Sequence, residues 1–188
     1  MQRPKAGQSV HGTVETSQEH DSGGGAETSP ATGELRKPKL TEVVALKALI
    51  DGAGGAVLSR ELRELYENVR DFYVYVDERG LGGCVALHID MIDLAEVRTL
   101  VVRPDLQRRG IGRRLLAAVL DEARGLDIAR VYAFTREPAF FGRNGFYAVD
   151  RSELPYKVFK DCTRCRLFPG CDETAMVKDL RSVRNQGD

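Results

Sequence analysis

The chain lacks the features that mark several broad classes of protein. Lys and Arg together number 28 and Asp and Glu together number 28, so there is no basic surplus of the kind found in nucleic-acid-binding proteins. No 18 consecutive residues are apolar, and the opening segment MQRPKAGQSV has no apolar signal-peptide core. The four cysteines do not resemble a secreted disulfide framework. We therefore expect a soluble, cytoplasmic protein that binds neither nucleic acid nor a membrane.

Two common phosphate-binding patterns are also missing from the basic, glycine-containing loop around Gly110 and Gly112. A P-loop requires Lys followed by Ser or Thr after its glycines, and no such pair follows here. A dinucleotide-binding fingerprint requires three spaced glycines and an acidic residue about 20 positions further on. Neither pattern is present, so a nucleotide triphosphatase and a Rossmann dehydrogenase are both disfavoured.

What the chain does have is a stretch, residues 95–116, that reads as a strand, a proline-containing turn, a glycine-rich loop and a helix. Gly110 and Gly112 carry no Cβ, so backbone amides can approach a ligand closely. The first N–H groups of the following helix have no intrahelical partner, and the helix dipole favours an anion there. Further donors surround the loop, namely Gln107, Arg108, Arg109, Arg113 and Arg114. The stretch predicts a polyphosphate site, with an ordinary strand-to-helix turn bearing surface arginines as the alternative.

The rest of the pattern predicts one folded domain. Residues 1–33 are rich in Gly, Ser, Thr, Glu and Gln and predict a disordered extension, whereas residues 34–188 predict an α/β domain whose last part carries cysteines. The expected fold is a mixed sheet of six or seven strands with helices on both faces. The predicted strands cover residues 35–40, 72–76, 83–89, 95–102, 131–135, 145–149 and 174–180.

Four helices are predicted from apolar residues at helical spacing. The first begins after Thr41 and presents Val44, Leu46, Leu49 and Ile50; the second is capped by Ser59 and presents Leu62, Leu65 and Tyr66. The third follows the glycine loop and places Ile111, Leu115, Val119 and Ala123 on one stripe, and the fourth covers residues 137–143. Leu154 and Pro155 predict a further helix start.

Two motifs carry a family resemblance. The run from Gln107 to Gly112 matches Q-x-x-G-x-G, the pyrophosphate-binding signature of GNAT acetyltransferases, and FFGRNGF at residues 140–146 resembles the second landmark of that superfamily. Within it, the chain resembles short bacterial N-acetylglutamate synthases, on the segments at residues 58–74, 82–88, 93–104 and 132–146 and on LPYKVFKDC and CDETAM. The resemblance implies a GNAT fold and transfer of acetyl from acetyl-CoA to the α-amine of L-glutamate, the first step of arginine biosynthesis.

The same resemblance implies the residues that bind the cofactor. The backbone of Leu100, Val101 and Val102 should pair with the pantetheine arm, and an amide near Val101 should donate to the oxyanion. The pyrophosphate should lie against the residues of the loop, namely Gln107, Arg108, Arg109, Gly110, Ile111, Gly112 and Arg113. Phe141 occupies the position at which many GNAT enzymes place a tyrosine general acid, so the departing thiolate is either protonated by another group or leaves unassisted.

Glu96 is the candidate general base. It lies on the strand that enters the phosphate loop, eleven residues before Gln107, which is the spacing of the base glutamate in several GNAT enzymes. The acceptor amine is mostly protonated near neutral pH, so a carboxylate must take its proton, directly or through a water molecule. The alternative is that Glu96 serves as an ion-pair partner of Arg98, which faces the same side of the strand.

A dicarboxylate acceptor requires fixed positive charge, which guanidinium groups supply well. Arg60 and Arg136 match positions at which larger synthases of the family bind glutamate carboxylates, and Arg98 is a weaker candidate. For each of them the alternative is a solvated surface arginine.

The C-terminal cysteines form the last motif. Cys162, Cys165 and Cys171 could hold zinc if Cys84, Asp172 or a partner chain, for instance in a homodimer, supplied a fourth ligand. A paired C-x2-C motif is absent, so zinc is possible but not predicted, and packing or a redox-labile loop are the alternatives.

Two rival functions remain open from the sequence. The acceptor could be another amine, such as glutamine, another amino acid or a peptide N-terminus. Phe141 could instead mark lost chemistry in a non-catalytic acyl-CoA sensor. The intact glycine loop and Glu96 favour an enzyme.

Overall fold

The computed structural model describes residues 33–54, 57, 59–155, 157, 162–164 and 170–181. The predicted disordered extension lies outside this range except for Gly33, and the predicted helix start at Pro155 lies in a stretch described only in part. The strands are β1 Glu34–Arg36, β2 Phe72–Asp77, β3 Gly80–Met91, β4 Leu94–Val102, β5 Arg130–Thr135, β6 Tyr147–Ala148 and β7 Thr174–Asp179. The α-helices are α1 Val43–Asp51, α2 Leu62–Glu67, α3 Ile111–Gly125 and α4 Pro138–Arg143. Short 3₁₀ turns lie at Leu40–Glu42, Val69–Asp71, Pro104–Leu106, Arg151–Glu153 and Cys162–Arg164. None of the helices in the described ranges has the length and apolar content needed to cross a bilayer.

The strands form one mixed sheet in the order β1-β2-β3-β4-β5-β7-β6. Neighbouring strands are antiparallel, apart from β4 and β5, which are parallel. A parallel pair needs a crossover connection, and here α3 provides it. The prediction of a mixed α/β sheet with six or seven strands is thus confirmed, with seven strands in the described residues.

Helix α3 covers one face of the sheet. The predicted stripe is confirmed, since Ile111, Leu115, Val119 and Ala123 are all buried, and Leu116 and Leu120 widen it. These residues pack on a cluster that includes Val85 of β3 and Val97 of β4, and Phe141 of α4 joins the same cluster. An apolar stripe of this width is what drives a helix onto a sheet, because most helical stability in proteins comes from packing of such a face.

Helices α1 and α2 cover the opposite face, so the expectation of helices on both faces holds. Val43, Leu46 and Ile50 of α1 and Leu65 of α2 pack with strand residues that include Val74 and Cys84. The predicted α1 face was wrong at Val44, which is 61% exposed. Leu46 and Ile50 are buried as predicted, but Val44 lies two residues before Leu46, about 200° around the helix, whereas Val43 lies three residues before it and completes the buried face.

Other predicted boundaries also require correction. Ser59 does not cap α2, which begins at Leu62; its hydroxyl instead donates to Asp51 at 2.8 Å. Leu62 and Tyr66 were predicted on the apolar face of α2 but are 37% and 43% exposed, because a helix of only two turns buries little beyond Leu65. The first and sixth strands are shorter than predicted.

A bulge in β4 and a splay between β4 and β5 create the opening of the domain. Cys84 pairs with Val101 and Ala86 pairs with Arg98, so one residue of β3, Val85, faces two of β4. Thr99 within this bulge has a φ of 56°, which is unusual for a β-branched residue. Strands β4 and β5 pair only from Leu94 to Glu96, and beyond Glu96 the β4 backbone has no strand neighbour on that side among the described residues.

Candidate active site

A cleft of about 1600 Å³ occupies the splay between β4 and β5. Its walls are the second half of β4, the loop before α3, the end of β5 with α4, the C-terminal end of α1 and the residue Arg60 before α2, and parts of the C-terminal segment. Basic side chains outnumber acidic ones in the lining, so the cleft favours an anionic guest. Most of the residues predicted for the cofactor and the acceptor line it, namely Arg60, Glu96, Arg98, Leu100, Val101, Val102, Gln107, Arg108, Gly110, Gly112, Arg113, Arg136 and Phe141.

The glycine loop has the backbone geometry of an anion site. Gly110 is the N-cap of α3 with a φ of 78°, and Arg108 has a φ of 61°, so two left-handed residues curl the backbone just before the helix. The first intrahelical bond runs from Arg114 N to Gly110 O at 3.0 Å, which leaves the preceding amides without a helical acceptor. Arg108 and Arg113 face the same cleft.

Three residues predicted around the loop do not line the cleft. Arg114 instead donates to the carbonyl of Gly33 at 3.4 Å and lies over the ring of Tyr75. Ile111 is 1% exposed, and its side chain belongs to the core beneath α3. Arg109 is exposed but lies outside the lining. A backbone amide of Ile111 remains compatible with an anion contact, because the predicted interaction requires only the main chain.

The cleft also fits an extended chain beyond the phosphate loop. A Cβ at Gly112 would lie 3.6 Å from the Phe140 ring and 3.7 Å from Val102, which is ordinary contact, so packing within the protein does not itself require glycine there. The carbonyl of Val102 accepts a hydrogen bond from Gln107 Nε2 at 3.1 Å. The splayed side of β4 is the kind of strand edge to which an extended amide-containing arm can add.

Phe141 lies at the inner wall of the cleft and is 5% exposed. Its ring packs edge-to-face against Phe140 and Phe146, with centroid separations of 5.3 Å and 5.1 Å. The aromatic cluster gives this part of the cleft an apolar wall without a hydroxyl group at position 141.

Glu96 lies on the floor of the cleft, at the last rung before the strands separate. It is only 4% exposed. Its Oε2 atom lies 2.8 Å from Nζ of Lys157 and 3.8 Å from Nη1 of Arg98. The ion pair with Arg98 that the sequence suggested as an alternative is therefore present in the geometry, but Lys157 is the nearer cation.

Two arginines lie side by side next to Glu96. Arg60 donates from Nε to Thr99 Oγ1 at 3.2 Å and pairs with Glu64. Arg98 lies 4.0 Å from Asp71, and its buried Nε has no hydrogen-bond partner among the residues that the structure describes. Burial and the neighbouring Arg60 lower the pKa of Arg98 below its usual value. Carboxylates lie near both guanidinium groups, but those next to Arg98 are 3.8 Å and 4.0 Å away, so a closer carboxylate from an acidic ligand would stabilise its charge.

Arg136 follows β5 at the opposite rim of the cleft. Its Nε donates to both carboxylate oxygens of Asp172, at 2.8 Å and 3.0 Å, and Glu173 lies 3.8 Å away. The hydrogen bond to Asp172 raises the pKa of Arg136 above its usual range. Contact with an acceptor carboxylate would thus require Arg136 to exchange or share its acidic partners.

The cysteines do not assemble into a metal site within the described residues, where no group of three or more His, Cys, Asp or Glu side chains could hold an ion. Cys165 lies outside those residues, while Cys162 and Cys171 line the cleft. Cys84 is fully buried, and burial raises the pKa of its thiol to about 12, so it is unsuited to be the fourth zinc ligand. Asp172, the other suggested ligand, is paired with Arg136.

Sequence reasoning missed two residues that shape the site. Thr99 forms the bulge, although its residue type favours regular strand. Lys157 reaches Glu96 across 61 residues of chain. No spacing pattern signals that contact, although a lysine in the segment after β6 could have been considered as a cleft residue once the sheet order was known.

Comparison with known proteins places the chain in a family. A model of the acetyltransferase (GNAT) domain matches residues 68–148. The chain is 34% identical over 151 residues to an uncharacterised N-acetyltransferase of Chlorobaculum tepidum, a match that covers 78% of this chain and 96% of that protein. It is 37% identical over 134 residues to the amino-acid acetyltransferase of Mycobacterium tuberculosis, covering 69% of this chain and 77% of that protein.

Solved structures agree with this placement. The N-acetylglutamate synthase of Neisseria gonorrhoeae, complexed with coenzyme A and N-acetyl-glutamate, superposes with a TM-score of 0.72 at 29% identity, over 81% of this chain but only 36% of that one. A Mycobacterium tuberculosis protein solved with coenzyme A superposes with a TM-score of 0.69 at 30% identity, over 79% of this chain and 99% of that one. The fold and its cleft are those of an acyltransferase. The chain belongs to the GNAT acetyltransferase family, and the predicted fold is confirmed.

Proposed function

We propose that this protein transfers the acetyl group of acetyl-CoA to the α-amine of L-glutamate. The observation that carries the proposal is the position of Glu96, a buried carboxylate at the floor of the β4–β5 splay with basic side chains around it. The named relatives are amino-acid acetyltransferases, and one structural neighbour was solved with N-acetyl-glutamate. The activity would supply the first step of arginine biosynthesis in the cytoplasm.

The acidic acceptor follows from the charges in the cleft. Arg60 and Arg98 lie together on one wall, and Arg136 lies on the other. An amino acid with two carboxylates can use cations on both sides, whereas a neutral amine would leave Arg98 with only its contacts to Glu96 at 3.8 Å and to Asp71 at 4.0 Å. Glutamate therefore fits the cleft better than an uncharged acceptor.

The chemistry is assigned to the residues along β4. Acetyl-CoA supplies a thioester with a good leaving group. The loop before α3 holds the diphosphate, and β4 from Leu100 to Val102 holds the extended arm, so that a backbone amide near Val101 can donate to the oxyanion that develops on the carbonyl. Glu96 accepts the proton of the attacking amine, directly or through one water molecule. Phe141 donates no proton, so the thiolate leaves without a general acid at that position.

A direct test is release of free CoA thiol from acetyl-CoA by the purified protein with single L-amino acids. Glutamate, glutamine, aspartate, ornithine and lysine form the panel. We expect a clear preference for glutamate, and we expect Arg98→Met to raise the KM for glutamate more than the KM for glutamine. Arg63→Met is the matched control, since Arg63 pairs with Glu67 on the exposed side of α2.

Two outcomes would redirect the proposal. Preference for another amino acid would keep the chemistry and change the acceptor. Binding of acetyl-CoA without turnover on any acceptor, unaffected by Glu96→Gln, would indicate an acyl-CoA sensor.

A further inference from the structure

Lys157 reaches the floor of the cleft from the C-terminal segment. Its ammonium group lies 2.8 Å from Oε2 of Glu96, and its side chain is only 12% exposed. It lines the same cleft as the predicted acceptor residues. Burial of a lysine at this depth is costly unless anionic groups compensate its charge, so its position next to the candidate base calls for a functional account.

The geometry of an α-amino acid constrains where its α-carboxylate can lie. The amine and the carboxylate are attached to the same carbon, so their nitrogen and oxygen atoms are roughly 3 Å apart. If the amine passes its proton to Glu96, the α-carboxylate must lie within a few ångströms of Glu96 as well. A cation that binds that carboxylate must then lie within about 8 Å of Glu96, and a cation in contact with Glu96 is the best placed.

Among the residues that the structure describes, two cations contact Glu96, Lys157 at 2.8 Å and Arg98 at 3.8 Å. Arg98 rises from the same strand as Glu96 and stands next to Arg60, which makes these two arginines suited to the more distant side-chain carboxylate. Lys157 approaches Glu96 from the C-terminal segment of the chain. An ammonium group has three N–H donors, so it can contact Glu96 and a second carboxylate at the same time.

We propose that Lys157 binds the α-carboxylate of the acceptor and that it thereby restricts acetylation to free α-amino acids. This inference rests on the function proposed above. A bound carboxylate shares the ammonium group with Glu96 and loosens the ion pair, which leaves the Glu96 carboxylate available to the incoming proton. A peptide N-terminus has an amide in place of this carboxylate, so it cannot use the contact.

The test compares three acceptors that differ by one charge. L-Glutamate has both carboxylates, L-isoglutamine has an α-amide in place of the α-carboxylate, and L-glutamine has a side-chain amide. In the unmodified protein, kcat/KM for glutamate should exceed that for isoglutamine by about 10- to 100-fold, the usual effect of one hydrogen bond to a charged group. Lys157→Met should raise the KM for glutamate by a similar factor and should change the KM for isoglutamine little. The variant should thus lose the preference for glutamate over isoglutamine. Lys157→Arg should restore part of it.

The readout separates this role from a structural one. If Lys157 served only to hold Glu96, Lys157→Met would lower kcat for glutamate and isoglutamine alike and would keep the preference, which would overturn the inference. Lys47→Met is the matched control, because Lys47 pairs with Asp51 on α1 outside the lining. Thermal melting and acetyl-CoA binding establish that each variant is folded.

The unmodified protein provides an independent test. A preference for glutamate over isoglutamine of less than about threefold would overturn the inference without any variant, because one hydrogen bond to a charged group should give about 10- to 100-fold. Absence of turnover on every amino acid would instead overturn the proposed function itself.

Discussion

Gly110 offers a sharp test of the phosphate loop, because its backbone conformation favours glycine whereas the space around it would admit a larger side chain. Its φ of 78° lies in the left-handed region, yet a Cβ at this position would meet no atom within 4 Å. Gly110→Ala therefore introduces conformational strain without a steric clash. The expected cost is about 1 kcal/mol of the free energy of unfolding. For a domain of this size that corresponds to a fall in Tm of about 2–4 °C.

Two other glycines separate strain from ligand contact. A methyl group at Gly112 would make only ordinary contacts, at 3.6 Å to Phe140 and 3.7 Å to Val102, and Gly112 is the second residue of α3, so Gly112→Ala should leave Tm unchanged or raise it slightly. Gly125, the last residue of α3, has open space around it and no positive φ, so Gly125→Ala should raise stability by about 0.5–1 kcal/mol. Of the three glycines, Gly110 and Gly112 line the cleft and Gly125 does not.

The assay measures Tm and the KM for acetyl-CoA on all three variants. Gly110→Ala and Gly112→Ala should each raise that KM by about tenfold or more, since a methyl group would displace the diphosphate from backbone amides that bind a charged group. Gly125→Ala should leave it unchanged. The reasoning would be refuted if the KM for acetyl-CoA of both cleft variants stayed within about twofold of that of the unmodified protein. Such a change is smaller than the effect of one hydrogen bond to a charged group, so the loop would not hold the diphosphate.

Three further predictions address the base, the missing acid and an ion pair. Glu96→Gln should lower kcat about 10²- to 10³-fold while acetyl-CoA binding is retained in a direct titration; a loss below threefold would reject Glu96 as the base. Phe141→Tyr should change kcat by less than about threefold, and a large gain in steady-state rate would show instead that thiolate departure needs an acid. Arg36 holds the pKa of Glu42 at about 2, against 4.5 for a free glutamate, so the pair should stabilise the fold above pH 4.5 and lose this effect as the pH falls toward 2. Glu42→Gln should accordingly cost about 1 kcal/mol at pH 7 and progressively less in acid, by thermal melting, whereas Glu67→Gln in an exposed pair should cost almost nothing; equal effects of the two would contradict this account.

The extent to which sequence predicted the fold depended on the length of each element. Helix α3 has four turns of consistent spacing, so its buried stripe from Ile111 to Ala123 was readable without tertiary information. Helix α1 has nine residues and begins with two adjacent valines, so its spacing alone left open whether Val43 or Val44 completes the buried face. Its start was also misplaced, because a 3₁₀ turn precedes it and nothing in the apolar spacing signals such a turn.

The candidate site divides in a similar way. Glu96 and the glycine loop lie within one strand–loop–helix unit, so their proximity followed from the order of residues along the chain. Lys157 is 61 residues from Glu96, and only the packing of the C-terminal segment across the cleft brings the two together. The bulge at Thr99 was also not predictable, because a β-branched residue favours the regular strand that the structure interrupts there.

The short parallel contact between β4 and β5 has a consequence for how the domain assembles. Strands β2, β3 and β4 follow one another through short connections and can pair as local hairpins. Strand β5 can join them only after the chain has passed through α3, and it does so over the three rungs from Leu94 to Glu96. Because closing a long connection precedes the gain from its contacts, we expect this junction to form late in folding. The same event brings Glu96 and Tyr132 into register and opens the splay above them, so the part of the cleft that we propose for the acceptor forms when the two halves of the sheet meet.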